Sequence, residues 1–419
     1  MNIPTLAWRN VGRNRRRSAL SVTAIAVATL SIVVLFSLLE GMKRDLEHNL
    51  TTFYTGDVEI RHREYGRYEH LNPLHLSVPE AATTRASIAE VGGVEQVVNR
   101  ITVPGAVMQD DERIGLQAIG VEFDREAGFS EIQQYVVAGA LRDVTEPDGA
   151  TDSRVTPVLV GNRVMERLGV ELGEPFTVVV RTALRGTNAM TFRAAAVADF
   201  PVQSLNETTF WAPLDQIQRL ARMPGETGKI LVGLTDQANR DPDRREGVLR
   251  DIRAAAPELE VRHFSEIETT YGFMQTATNM YNVIGIFFLL LASTVVINTT
   301  MMVIFERRRE IGTLEAMGMR SGELIRMFFY EALILGFLGA LIGLVGGTGT
   351  ALALNQVGID MGASMDSVDF EISPVLHLVI NLRSTLLVFV GAVVVSGVTS
   401  YLPTLRITRI EPVAALREE

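Results

Sequence analysis

Cysteine is absent from this 419-residue chain. That excludes disulfide staples, thiolate nucleophiles and thiolate metal ligands, so any water-exposed part must hold together by core burial alone. Formal charge is missing from four long windows, 19–39, 283–305, 332–354 and 386–405. A helix crosses a hydrocarbon core in about 20 apolar residues, so four such windows identify an integral membrane protein. A cleaved signal peptide is a poor reading of the first window. Its apolar run is longer than an h-region, and "LLEGMKRDL" offers no small-residue cleavage site.

Other chemistry is also missing. A phosphate-cradling loop needs GxxxxGK followed by Ser or Thr. The nearest string, "RMPGETGKI", has Met223 for the first glycine and Ile230 for the hydroxyl, and reads as a turn. No Ser/His/Asp set, carboxylate pair or metal motif stands out, so no catalytic residue and no metal ligand is assigned. His62, His70 and His75 fall in a polar, turn-rich stretch at spacings that match no common ligand pattern, and read as surface residues.

What is present sets the orientation. Arg9, Arg13, Arg15, Arg16 and Arg17 precede the first span, and Arg307, Arg308, Arg309, Arg320 and Arg326 lie between the second and third. Arg406, Arg409 and Arg417 follow the fourth, whereas the link between spans three and four carries Asp360, Asp366, Asp369 and Glu371 against Arg383 alone. The positive-inside bias puts both termini and the middle loop in the cytoplasm, and the link and the segment 41–275 outside. That segment holds 25 basic and 36 acidic residues, a difference of −11 against −10 for the whole chain. An acidic outer domain argues against nucleic acid as a partner.

The expected fold is integral membrane and α-helical, with four transmembrane helices and a large extracytoplasmic α+β domain between helices 1 and 2, joined by helical stalks. A cytoplasmic amphipathic lead-in occupies 1–17, and the spans occupy 18–40, 281–305, 327–355 and 384–405. Stalks and outer domain take 41–280, a cytoplasmic helix 306–326, an outer link 356–383 and a cytoplasmic tail 406–419. Leu39, Met42, Leu46 and Leu50 carry helical spacing past the first span, and Ile267, Tyr271 and Met274 do so before the second. Between these stalks, "DVEIRHR", "RITVPGAVMQ", "TPVLVG", "PFTVVVRTA" and "KILVGL" read as strands, and "GNRVMERLGVELG" and "DRREGVLRDIRAAAPELE" as helices. The lack of a βαβ rhythm indicates α+β in two lobes. Gly339, Gly343 and Gly347 recur every fourth residue and read as a helix-packing groove, for a partner helix in this chain or in a second subunit.

After Phe305 the chain reads "ERRREIGTLEAMGMRSGEL", where Ile311, Leu314 and Met317 form an apolar stripe and Gly318 closes the turn. Topogenesis needs positive charge but not a stripe, so this short helix reads as a docking handle for a cytoplasmic protein. The stretch is similar to the coupling-helix motif of the macrolide-exporter, lipoprotein-releasing and FtsX-like superfamily of ABC transporter permeases. "LAWRNVGRNRRRSALSVTAIAVA" resembles that superfamily's opening motif and "YLPTLRITRIEPVAALREE" its closing one. "IGVEFDREAGFSEIQQYVVAGAL" and "VLVGNRVMERLGVELGE" look most like the lipoprotein-releasing members.

The resemblance implies a bacterial inner-membrane permease without enzymatic activity or cofactor of its own, with ATP and Mg bound by a separate partner ATPase dimer. It further implies a second permease subunit, identical or homologous, contact with membrane lipid, and stalks that carry nucleotide-driven motion outward. Carried over by position, Glu310, Ile311, Leu314, Met317 and Gly318 contact the ATPase, and Arg307, Arg308 and Arg309 steer it electrostatically or meet lipid phosphates. The cargo it points to is a lipoprotein passed to a periplasmic carrier. Efflux of amphiphilic drugs or peptides, and non-transporting control of a cell-wall hydrolase, stay open as alternatives.

Overall fold

The computed structural model describes residues 3–13, 15–109, 112–146, 155–267, 269–306, 311–313, 318–360 and 373–404. These divide into a membrane unit, Met1–Arg44, Phe273–Met361 and Val375–Glu419, and an α+β domain, Asp45–Gly272 with Gly362–Pro374.

Four helices of the membrane unit are long and apolar enough to span a bilayer. They run Arg15–Asn49, Thr269–Glu306, Ser321–Val357 and Leu382–Thr404, after a short helix at Ile3–Arg13. Ile25, Val296, Ala340 and Ala392, one from each long helix, meet in a single buried cluster. Hydrocarbon gives helices no hydrophobic drive to associate, so close approach of small residues must supply it. The glycine row of the third helix does this against the first. A Cβ at Gly339 would lie 2.8 Å from Ile25 Cβ, one at Gly343 2.7 Å from Thr29 Cβ, and one at Gly347 2.9 Å from Val33 Cβ. Gly336 makes the same approach to Ser396 of the fourth helix. The second helix is the least enclosed, with 22% of its apolar window buried, so Phe287, Leu290 and Phe305 face outward as lipid-facing side chains do.

Two details of the membrane unit refine the sequence reading, which placed a helix start at Arg320–Glu323 leading to the third span. The third helix begins at Ser321, six residues before the expected span, because the Glu323 carboxylate accepts the Arg320 backbone N–H at 3.0 Å and caps its first turn. The link between the third and fourth helices carries a two-residue ladder, Ile359–Asp360 against Val375–Leu376, and the Val379 N–H donates to the Ser37 carbonyl at 2.9 Å.

The α+β domain is built on ten strands: β1 Val58–His62, β2 Val94–Gln109, β3 Glu112–Val121, β4 Val136–Gly139 and β5 Thr156–Gly161, then β6 Pro175–Arg181, β7 Thr187–Ala198, β8 Thr209–Pro213, β9 Lys229–Leu234 and β10 Leu259–His263. Their order is β10-β1-β9-β2-β3-β8-β5-β7-β4, and β6 pairs with both β2 and β7. The pairings β2–β3, β3–β8, β8–β5, β5–β7, β7–β6 and β6–β2 therefore close into a ring, which removes the exposed edges of those strands. In place of two separate lobes, one sheet holds a ring at one end and an open part, β10-β1-β9, at the other.

Period-two alternation feeds separate cores. On β8, Phe210 packs with Phe176 and Phe192 in the ring cluster, while its neighbour Trp211 packs with Phe200 on the opposite face. In the open part, Val58, Ile60, Ile230 and Val232 pack on Ile88 and on Val248, Leu249 and Ile252 of the helix Pro242–Ala255.

Within this open part His263 is buried, with Nδ1 2.9 Å from Ser265 Oγ. Burial, aided by the nearby Arg245 guanidinium, pulls its imidazole from 6.5 down to about 4. The folded state holds the neutral ring, so its contribution is full above pH 6.5 and fades as pH falls toward 4. Thermal unfolding of the full chain in detergent should show the melting temperature of His263→Gln falling less steeply than wild type between those pH values; parallel curves would contradict it. In the membrane unit, Gly343→Leu should destabilise by about 1–3 kcal/mol through overpacking, read as a lower melting temperature. Gly349→Leu, where nothing lies within 4 Å, should leave it unchanged.

Candidate functional site

The charged segment after the second helix is held at two points, Glu306 and Ile311. At its start, the Arg17 guanidinium makes a two-pronged pair with the Glu306 carboxylate, joining the beginning of the first helix to the end of the second. Bidentate pairs of this kind fix orientation as well as charge. Farther on, Ile311 is 2% exposed and packs on Val303, Ile304, Leu324, Met327 and Phe328, with Leu6 of the lead-in helix alongside. Expected on the docking stripe, Ile311 is instead the anchor that ties the segment to the second and third helices. Gly318 has φ +95°, a left-handed turn that favours glycine, just before the third helix begins. Arg307, Arg308, Arg309, Glu310, Leu314 and Met317 lie outside the described residues.

A second constellation, unforeseen from sequence, lies in the α+β domain where the first long helix ends. The helix closes in one π-helical turn, Leu50–Thr55, stopped by Gly56 at φ +68°. The last carbonyls of a helix have no partner within it. Here Arg100 Nη2 donates to the Thr52 carbonyl at 2.8 Å, Arg100 Nη1 to Phe53 at 2.5 Å, and Lys229 Nζ to Tyr54 at 2.5 Å. Two cations from β2 and β9 thus meet the negative end of the helix dipole. Arg100 is 1% exposed, is ion-paired with the fully buried Glu126, and lies 5.1 Å over the Trp211 ring. Lys229 is shared with Glu59 at 3.1 Å, and Glu59 also faces Arg61 Nη1 at 3.2 Å.

Arg61 extends this network. Its Nε donates to Glu260 at 3.0 Å, Nη1 lies 3.1 Å from Glu69, and its guanidinium covers the Tyr65 ring at 5.3 Å. Burial, with the Glu59 and Glu69 charges, pushes the Tyr65 phenol up to about 12, so it remains a donor, given to Asn72 Oδ1 at 3.1 Å. The three histidines do not gather. His62 Nδ1 accepts from the Glu64 N–H at 3.2 Å, while His70 and His75 are exposed.

This order of parts, an apolar helix feeding an α+β domain and then three further spanning helices, is matched by two family models. One, described as a MacB-like periplasmic core domain, covers residues 18–246, more than half of the chain. The other, an FtsX-like permease C-terminal domain, covers residues 282–412. The chain belongs to the MacB/FtsX-like ABC-transporter permeases. Curated relatives of this MacB/FtsX-like permease include the pyoverdine export ATP-binding/permease protein PvdT of Pseudomonas putida, 24% identical over 440 residues, covering 99% of this chain and 59% of that protein. The PvdT protein of Pseudomonas aeruginosa is 24% identical over 439 residues, with 99% and 58% covered. The chain thus spans less than two thirds of the length of these relatives. Among solved structures, the periplasmic region of MacB from Actinobacillus actinomycetemcomitans superposes on 51% of this chain and 91% of its own, at 12% identity and a TM-score of 0.35.

Removing one partner of a buried ion pair leaves an uncompensated charge, at a typical cost of about 3–5 kcal/mol. In the permease, Arg100→Met should therefore lower the melting temperature sharply. Arg100→Met combined with Glu126→Leu should recover part of the loss, and equal instability of single and double variants would show that Glu126 carries no such penalty.

Proposed function

We propose that this permease sits in a bacterial inner membrane with both termini and residues 306–326 in the cytoplasm. A partner ATPase dimer grips residues 306–318, and its nucleotide cycle moves the α+β domain on the periplasmic side. The observation that carries this reading is the anchoring of the segment. Ile311 is wedged among side chains of the second and third helices, and Glu306 is locked to Arg17 of the first, so a pull on the segment reaches three helices at once. Leu314 and Met317 then supply the apolar docking contacts, Glu310 and Arg307–Arg309 the charged ones, and ATP and Mg are held by the partner. A second permease, identical or homologous, covers part of the exposed second helix, with lipid over the rest.

For cargo, an amphiphilic drug or peptide carried outward by efflux is the first choice. It is supported by relatives named as pyoverdine export permeases, which align with 99% of this chain. Lipoprotein release is the second choice, supported by "IGVEFDREAGFSEIQQYVVAGAL". Lipoprotein release needs coupled energy, because each acyl CH₂ withdrawn from a bilayer costs about 0.8 kcal/mol.

Leu314→Asp should abolish co-purification of the ATPase while the chain still inserts in the membrane; undiminished co-purification would place the docking surface elsewhere. In liposomes holding the permease and its ATPase, ATP should drive movement of a labelled amphiphilic peptide. Movement of a labelled lipoprotein instead would select the second cargo, and movement of neither would end the transport reading.

A further inference from the structure

The α+β domain encloses a cavity of about 740 Å³, within the range of small-molecule sites. The strand register shows what its floor is made of. Arg61 on β1 is paired with Lys229 on β9, and Lys229 with Arg100 on β2. Two residues along β2, Thr102 faces Ile119 on β3, and Gln117 on β3 faces Thr209 on β8. Paired residues and residues two apart share a sheet face, so one face of five adjacent strands forms the floor. At about 4.8 Å between strands, it extends roughly 19 Å.

The opposite face of the same strands is apolar, with Ile60, Ile230 and Val232 buried in a hydrophobic cluster. A covered sheet face is ordinarily apolar, and a covered polar one is the informative exception. Here it carries Glu59, Arg61, Lys229 and Thr102, under walls formed by Tyr54, the segment from Tyr65 to Leu76, and the helix Gln203–Thr208, and it ends at the exposed Gln117. Arg61 is 98% enclosed at its side chain, yet its Nη2 has no hydrogen-bond partner among the described residues.

We infer that this cavity binds a short peptide with free, oppositely charged ends. Of its charged lining, Arg100 and Lys229 are taken up by Glu126, Glu59 and the helix carbonyls, and Glu207 by Arg163 and Gln203, so the charges left to a ligand are Arg61, through Nη2, and the half-exposed Glu69. A zwitterion finds a partner for each end, Arg61 for its carboxylate and Glu69 for its ammonium. The floor adds the Thr102 hydroxyl and the Gln117 amide, a donor and acceptor set that can meet an extended backbone. At about 3.3 Å per residue, the floor accommodates about five residues. A sugar fits less well, since the Tyr65 ring is already covered by Arg61 and the Tyr54 hydroxyl is tied to Ser204 Oγ at 3.0 Å. The inference concerns binding alone and stands apart from the transport reading.

The test uses the full chain in lipid nanodiscs without ATPase, so its outcome is independent of transport. Saturation-transfer NMR is run with Ala-Ser-Gly-Ser-Ala with free ends, with the same peptide acetylated and amidated, and with maltopentaose. The free-ended peptide should bind saturably, and blocking its ends should weaken binding roughly tenfold or more. Gln117→Trp, at an exposed position, and Ser204→Trp should each fill the cavity and weaken binding by a similar factor at unchanged melting temperature. If Ser204→Trp fails to fold, Gln117→Trp alone decides. No saturable binding, binding unaffected by Gln117→Trp, equal binding of the blocked peptide, or binding of maltopentaose in its place would each overturn the inference.

Discussion

Three carbonyls at the end of one helix set the terms for the α+β domain. Thr52, Phe53 and Tyr54 close a helix that has run unbroken from Arg15 to Asn49 and through a π-helical turn. Left unpaired and buried, each would cost on the order of 1–3 kcal/mol. Arg100 and Lys229 satisfy them, and every other charge nearby follows from burying those two cations. Glu126 neutralises Arg100, Glu59 is shared by Lys229 and Arg61, and Arg61 also pairs with Glu69 and Glu260. The network is thus a chain of compensations that begins at the helix terminus and ends at the cavity wall.

Much of the architecture was legible in the sequence because membrane spans and strands are periodic. The four apolar windows coincide with four long helices, and "DVEIRHR", "TPVLVG" and "KILVGL" lie on β1, β5 and β9. The charged network was not legible, for a physical reason. In "DVEIRHR" alternation puts Glu59 and Arg61 on one face and Val58 and Ile60 on the other, which reads as polar outward and apolar inward. Both faces are covered, and Glu59 is 3% exposed and Arg61 1%. Period-two patterning reports which residues share a face but not what lies over it. Likewise β8, "TFWAP", shows no alternation because Phe210 and Trp211 are buried on opposite sides, so the strand escapes a pattern search.

The membrane unit teaches the same lesson after its second helix. Helical spacing put Ile311 on a stripe with Leu314 and Met317, and a stripe alone cannot say which members face a partner. Ile311 faces inward because Val303, Leu324 and Phe328 offer it an apolar seat at the junction of two helices. The glycine row shows the reverse case. Spacing announced a groove, and the first helix of the same chain fills it, with Val22, Ala26 and Leu30 carbonyls close to where a Cβ would be.

One strand runs through both parts of the α+β domain. β2 is 16 residues long; its first half pairs with β9 of the open sheet and its second half with β3 and β6 of the ring. A linker between two bodies could bend, but a continuously hydrogen-bonded strand has no hinge to offer. Flexing the ring against the open sheet would break ladder bonds, each worth about 0.5–1.5 kcal/mol net. The domain is therefore stiff along its length, and a torque delivered near Arg100 would emerge at the far rim of the ring with little lost to internal give.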